Sequence, residues 1–157
     1  MNWGHLFLTL HLLGVALWLG GAIYERLFVF AGVTKHEGTP LELLYTKILL
    51  RTQAFFLLSV LLLLVGGVGM TIFYRLGFFP ASWLGIKQGV VVVMLVIFAG
   101  VIGPTMKKTE QQVHTLGDKA ATVTTEIRRN VHKFQLALDI VHVGLVFNFL
   151  LGIWQPF

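Results

Sequence analysis

Apolar residues run along this chain in four long blocks, at about 3–33, 52–74, 83–106 and 134–157, separated by short polar segments. A bilayer core about 30 Å thick takes roughly 20 apolar residues of helix to cross, so each block is long enough to span. Only helices and closed barrels satisfy their backbone groups in lipid. The pattern therefore predicts an all-α fold: an integral membrane four-helix bundle, antiparallel and up-down, forming a single four-span transmembrane domain over residues 1–157. The first block has no basic segment before it and is too long for the core of a secretory signal, so it is read as the first span.

The polar segments carry helical signals of their own. Thr39-Pro40-Leu41-Glu42 reads as a capping box, with Thr39 at the cap, Pro40 at the first helical position and Glu42 reaching back. A helix is expected to start there and run into span two. Between spans three and four, Val113, Leu116, Ala120, Val123 and Ile127 recur at spacings of three and four, an amphipathic stripe. Gly117-Asp118 is a candidate turn within it. The stripe either extends spans three and four beyond the membrane as an antiparallel pair or lies on the lipid headgroups as an interfacial helix.

Composition agrees with the membrane class. Of 157 residues, 56% are hydrophobic and 12% charged. Cysteine is absent, which excludes disulfides, thiolate metal sites, iron–sulfur clusters and haem attached through Cys-x-x-Cys-His. A net charge of +5 would suggest nucleic acid in a soluble protein; here its distribution points to membrane orientation instead. Arg26, Lys35, Lys47, Arg51, Lys107, Lys108, Lys119, Arg128, Arg129 and Lys133 fall on one side, Arg75 alone on the other, and Lys87 inside span three. The positive-inside rule places both termini outside and the two basic loops in the cytoplasm. Trp3, Trp83 and Trp154 then lie at the outer interface, where aromatic rings anchor spans. The expected location is the cell (cytoplasmic) membrane, crossed several times.

Ionisable groups inside spans are costly and mark function by default. They are His11, Lys87, Asp139 and His142, with Glu25, Arg26 and Arg51 near one boundary. His11 shares a helical face with Gly14, Trp18, Gly21 and Glu25. Small residues there either let helices approach closely or leave room for a flat cofactor. Neutral histidine is the usual axial haem ligand; the alternative is a histidine hydrogen-bonded across the bundle. Lys87 either snorkels to the outer headgroups or faces the bundle, where its amine would meet a porphyrin propionate, another anion or iron. Asp139 precedes His142 by three positions, so a carboxylate could orient a ligating imidazole; alternatively Asp139 pairs with Arg51 or Arg26. The methionines Met1, Met70, Met94 and Met106 are scattered, whereas copper transport calls for clustered soft ligands. Serine-nucleophile, phosphate-loop and metalloprotease motifs are absent.

Leu10-His11, Ala16-Leu17-Trp18-Leu19-Gly20-Gly21 and Arg26-Leu27-Phe28-Val29-Phe30 resemble the first helix of the HemJ-type protoporphyrinogen oxidases. Trp83-Leu84-Gly85-Ile86-Lys87 resembles the start of that family's third span, and the terminal Gln155-Pro156-Phe157 its Pro-Phe end. The first-helix pattern is also similar to the CopD-like copper-resistance membrane proteins. The resemblance covers most of the chain and implies a four-helix membrane protein that binds haem b, with His11 and Lys87 as the key residues. Departures are Glu25 where the oxidase typically has proline, a third span through Gly100–Pro104 without the oxidase's polar pattern, and the added Asp139 and His142.

These readings lead to a membrane haem b-binding redox protein, either oxidising a porphyrinogen or exchanging electrons with quinone. Expected axial ligands are His11 and His142. Lys87, Trp18 and Gly14 complete the expected cofactor site, the role of Lys87 being open. The alternative is a CopD-like copper transport or binding subunit without haem. Expected partners are the lipid bilayer, a porphyrinogen or quinone and, in a homo-oligomer, further copies of the chain; nucleic acid is not expected.

Overall fold

The computed structural model describes residues 2–116 and 122–155. Among these residues there are four long helices and no strand: α1 Trp3–Lys35, α2 Pro40–Phe73, α3 Trp83–Leu116 and α4 Thr125–Trp154. With 33, 34, 34 and 30 residues, each is about 45–50 Å long at 1.5 Å per residue. All four are long and apolar enough to cross a membrane. Leu12, Leu27, Phe28, Leu61, Val96 and Val143 are among the many large apolar side chains on the outer surface, far more than a soluble monomer exposes. The chain is a multi-pass membrane protein.

The helices exceed the roughly 30 Å hydrocarbon core, and their polar ends take up the excess. The first turns of α2, the last of α3 and the first of α4 carry the charges and lie together at one end of the bundle, joined by Glu42–Arg128 and Lys108–Glu126 ion pairs. We call this the basic end. At the other, aromatic end Gly4 lies directly against the ring of Tyr74. The predicted stripe is buried at Val113, Val123 and Ile127 and half-buried at Leu116. Its polar flanks pair α3 with α4, Asn130 Nδ2 donating to Gln112 Oε1 at 2.9 Å, so the stripe extends spans three and four. Ala120 and the Gly117-Asp118 turn lie outside the described residues.

Helix starts follow local chemistry. Asn2 caps α1 by accepting the Gly4 N–H at 3.0 Å, and Thr124 caps α4 by accepting the Ile127 N–H at 3.3 Å. The capping box of α2 forms only in part. Pro40 takes the first helical position, but the Thr39 hydroxyl donates backward to the His36 carbonyl. Glu42 reaches back to the Gly38 N–H at 2.7 Å because its carboxylate is also held by Arg128.

Two helices contain a wide π-helical turn, Glu25–Phe30 in α1 and Phe98–Ile102 in α3. The second precedes Pro104. Proline lacks the N–H and its ring crowds the carbonyl four residues back, here Gly100, and the wider turn absorbs that conflict without breaking the helix. No proline explains the first. It starts at Glu25, and such turns concentrate at functional positions.

Helices α1 and α2 pack together along their length, as do α3 and α4. Glycine makes the first contact close: a Cβ on Gly14 would stand 2.8 Å from the Leu63 backbone nitrogen, and one on Gly66 would stand 2.5 Å from the His11 nitrogen. In the second pair Met94 packs against Gly144 and Lys87 against Gly152. The largest fully buried side chains, including Phe56, Phe134, Leu49, Ile102, Ile127, Leu138 and Val141, lie from mid-bundle to the basic end. Toward the aromatic end His11, Leu63, Lys87 and Val90 are half-buried.

Candidate functional site

Span residue His11 lies on the α1 face that meets α2. Its Nδ1 is 3.0 Å from the Leu63 carbonyl oxygen. A carbonyl can only accept, so Nδ1 carries the proton and, in the neutral ring, Nε2 carries the lone pair. Gly67 makes room for the ring, whose Nδ1 would stand 3.4 Å from a Cβ there. Among the described residues Nε2 has no hydrogen-bond partner. This is the arrangement of a ligating histidine: one nitrogen anchored to a backbone carbonyl, the tautomer fixed, the other nitrogen free.

Gly14, expected beside His11, is buried against Ser59 and Leu63 of α2. Of its two readings, the close helix approach is the one realised. Trp18, one turn further, is 5% exposed. It meets Phe56 edge-on at 6.2 Å between ring centres, and its Nε1 is buried without a partner.

Lys87 stands near the start of α3. Its Nζ lies 2.7 Å from the point where Gly152 would carry a Cβ, so the stem crosses from α3 onto α4. Its carbonyl accepts a 3.1 Å hydrogen bond from Asn148 Nδ2. The ammonium is within electrostatic reach of His11. The fold thus brings His11 and Lys87, 76 positions apart in the chain, to one level of the bundle.

His142 is placed elsewhere. Its ring lies 5.7 Å from Phe56, which also touches Trp18. Trp18 is seven residues beyond His11, about 10 Å of helix, so His142 sits deeper than His11 and Lys87. Its Nε2 is buried without a partner. The carboxylate of Asp139 is given not to His142 but to Arg26, at 3.5 Å, and to Gln135, whose Nε2 donates at 3.0 Å. The Arg26 reading of Asp139 is the one found, and Arg26 also covers the face of Phe30 at 5.0 Å.

Beside this pair is a polar group that hydrophobicity reading undervalued. Glu25 is 1% exposed. Its Oε2 accepts from the Thr52 hydroxyl at 2.6 Å and from Gln53 Nε2 at 2.8 Å. Among the described residues its Oε1 has no partner, and neither have Gln53 Oε1 and Gln135 Oε1. Buried polar atoms without partners are rare and call for an explanation. Four residues that pattern reading passed over therefore line the interior: Thr52, Gln53, Gln135 and Asn148. One signal was available, since Gln135, Asp139 and His142 share spacings of four and three.

Among the described residues no three His, Cys, Asp or Glu side chains gather as a metal-ligand set; His11 and His142 each stand as a single donor on a separate helix. Compared with protein-family models, with curated proteins and with solved structures, the chain has no match.

Proposed function

We propose that this chain is a haem b-binding redox protein of the cytoplasmic membrane that oxidises a porphyrinogen or exchanges electrons with quinone. The observation that carries the reading is His11. A half-buried imidazole in a membrane span, with Nδ1–H anchored on the Leu63 carbonyl and Nε2 free, is prepared to ligate one metal-bearing cofactor. Dispersed single donors suit a macrocycle that brings its own four nitrogens better than a bare ion needing three or four side chains.

The residues present fit such a group. His11 and Lys87 are both half-buried, toward the aromatic end of the bundle. Among the described residues His142 Nε2 and Trp18 Nε1 are buried polar atoms without partners, and both rings pack on Phe56. In this reading His11 and His142 would each offer an imidazole to hold the group, and Lys87 would provide a cation for a propionate. Haem b would supply one-electron chemistry at this site. The protein's part is to hold the imidazole tautomer, exclude water and set the polarity around the ligand nitrogens.

The up-down antiparallel course with both termini outside belongs to the same proposal. It rests on the split of ten basic residues to one and on the positive-inside rule. The test is the absorption spectrum of the protein purified after haem-sufficient expression. A Soret band with split α and β bands on reduction is expected, and His11→Ala is expected to lose most of the bound haem while still inserting. A colourless protein that binds copper instead would favour the copper-subunit reading.

A further inference from the structure

Glu25 lies in the last third of α1, at the first residue of its π-helical turn, with 1% of its surface exposed. The groups facing it are Thr52 and Gln53 of α2, which bond its Oε2, and Asp139 of α4, which is within electrostatic reach. The neighbouring cation, Arg26, is paired with Asp139 and stacked on Phe30. Among the described residues Glu25 therefore has no cation as a direct partner, and it has a second carboxylate close by. His142, the remaining titratable group nearby on α4, is in reach of Asp139 and Arg26.

An ionised carboxylate in this position would be a buried charge without a counter-ion, beside a like charge, which is strongly unfavourable. A neutral carboxyl removes that penalty. It also gives a reason for the bonding pattern. The Thr52 hydroxyl also lies 2.8 Å from the Leu49 carbonyl; with its single proton given there, Thr52 Oγ1 can accept the carboxyl proton across the 2.6 Å contact, while Gln53 Nε2 donates to the carboxyl group. As donors, Thr52 and Gln53 would stabilise the anion if it formed. The group is held between its two states by opposing influences.

We propose that Glu25 is an intramembrane proton-binding site: its carboxyl group carries a proton in the resting protein and releases and regains it, with Thr52 and Gln53 holding the group in place. The step is the breaking and remaking of one O–H bond. The proton is exchanged with water from the basic end, the nearer end of α1, and no electron is transferred. The proposal does not depend on haem or on which residues ligate it.

The test is infrared spectroscopy of the whole protein in lipid, titrated with acid and base in H2O and in D2O. A carbonyl stretch of a protonated carboxyl is expected at neutral pH, shifted down in D2O and missing from Glu25→Gln. Glutamine mimics the neutral acid in shape, so that variant is expected to fold with unchanged thermal stability. Asp139→Asn removes a neighbouring negative charge and frees Arg26, so the midpoint of the Glu25 band is expected to move to lower pH. A wild-type spectrum identical to that of Glu25→Gln at neutral pH would overturn the proposal. So would a band whose midpoint is unmoved in Asp139→Asn.

Discussion

Arg128 grips both carboxylate oxygens of Glu42, Nε to Oε1 at 2.7 Å and Nη2 to Oε2 at 2.8 Å. The two residues are 86 positions apart, on α4 and α2. The Glu42 side chain is 1% exposed and that of Arg128 23%. Arg128 also reaches Glu37, 3.1 Å away. A planar guanidinium fork matches a carboxylate in two bonds at once. Glu42 lies in the first turn of α2, ahead of the apolar block of residues 52–74, so this is a clamp between α2 and α4 at the basic end.

Breaking the clamp leaves one buried charge unpaired. Arg128→Ala is expected to destabilise the protein by about 3 kcal/mol, the lower end of the range for a buried pair because Arg128 is partly exposed. Lysine at 128 would not restore the loss, since it lacks the fork. Thermal unfolding in detergent measures both, and a double-mutant cycle with Glu42→Gln isolates the coupling.

The same pair sets a pH dependence. Burial pushes the Glu42 carboxyl up, but the Arg128 hydrogen bonds, the Gly38 N–H and the charges of Arg128 and His132 outweigh it, and the group is held below its ordinary value. A depressed carboxylate contributes stability that is complete above its unfolded value, about 4.3, and is lost as pH falls through the folded value. The melting temperature is therefore expected to fall with acidification below about pH 4.3, and to fall less in Glu42→Gln, in which that carboxyl no longer titrates.

The glycine contacts of α1 and α2 separate by position. A Leu at Gly66 would collide with the His11 backbone and the Phe7 carbonyl, parting the helices and pulling the His11 ring off Leu63. A loss of about 3 kcal/mol or more is expected, at or beyond the upper end of ordinary overpacking. Gly20 has nothing within 4 Å of a Cβ, so Gly20→Ala is expected to be neutral or to stabilise by up to about 1 kcal/mol through helix propensity. Unfolding of the two variants side by side checks the contrast.

Low-temperature electron spin resonance of the oxidised haem-loaded protein distinguishes the ligands opposite His11. A bis-imidazole signal is expected, lost in His142→Ala and retained in Lys87→Ala. Chemistry supports this, because an amine is protonated up to about pH 10.4 unless strongly desolvated. Loss of the signal only in the lysine variant would make Lys87 the ligand, in keeping with its placement at the level of His11.

Orientation is checked by reporter fusions. Those at residues 78 and 157 are expected to report the outside, and one at 118 the cytoplasm. A cytoplasmic C-terminus would overturn the orientation.

Much of the architecture follows from the chain alone. Four apolar blocks of sufficient length dictate four helices, because lipid offers the backbone no other partner. Pro40, Thr124 and the 113–127 stripe mark helix starts and extensions through local rules, which need only near neighbours in sequence. His11 and Lys87 stand out because ionisable groups in apolar blocks are rare. The choices between alternatives lay beyond that reach. Only the packed bundle shows that Gly14 serves a helix contact, that Asp139 pairs with Arg26 rather than His142, and that Lys87 lies on Gly152. Thr52, Gln53, Gln135 and Asn148 look like ordinary polar punctuation until four helices turn them inward. The reason is physical: a helix's own length and boundaries are set by hydrogen bonds among residues a few positions apart, whereas the partner of a buried polar group is set by which distant helix faces it. Residues 27 to 113 positions apart make those contacts, and periodicity within one span carries no record of them.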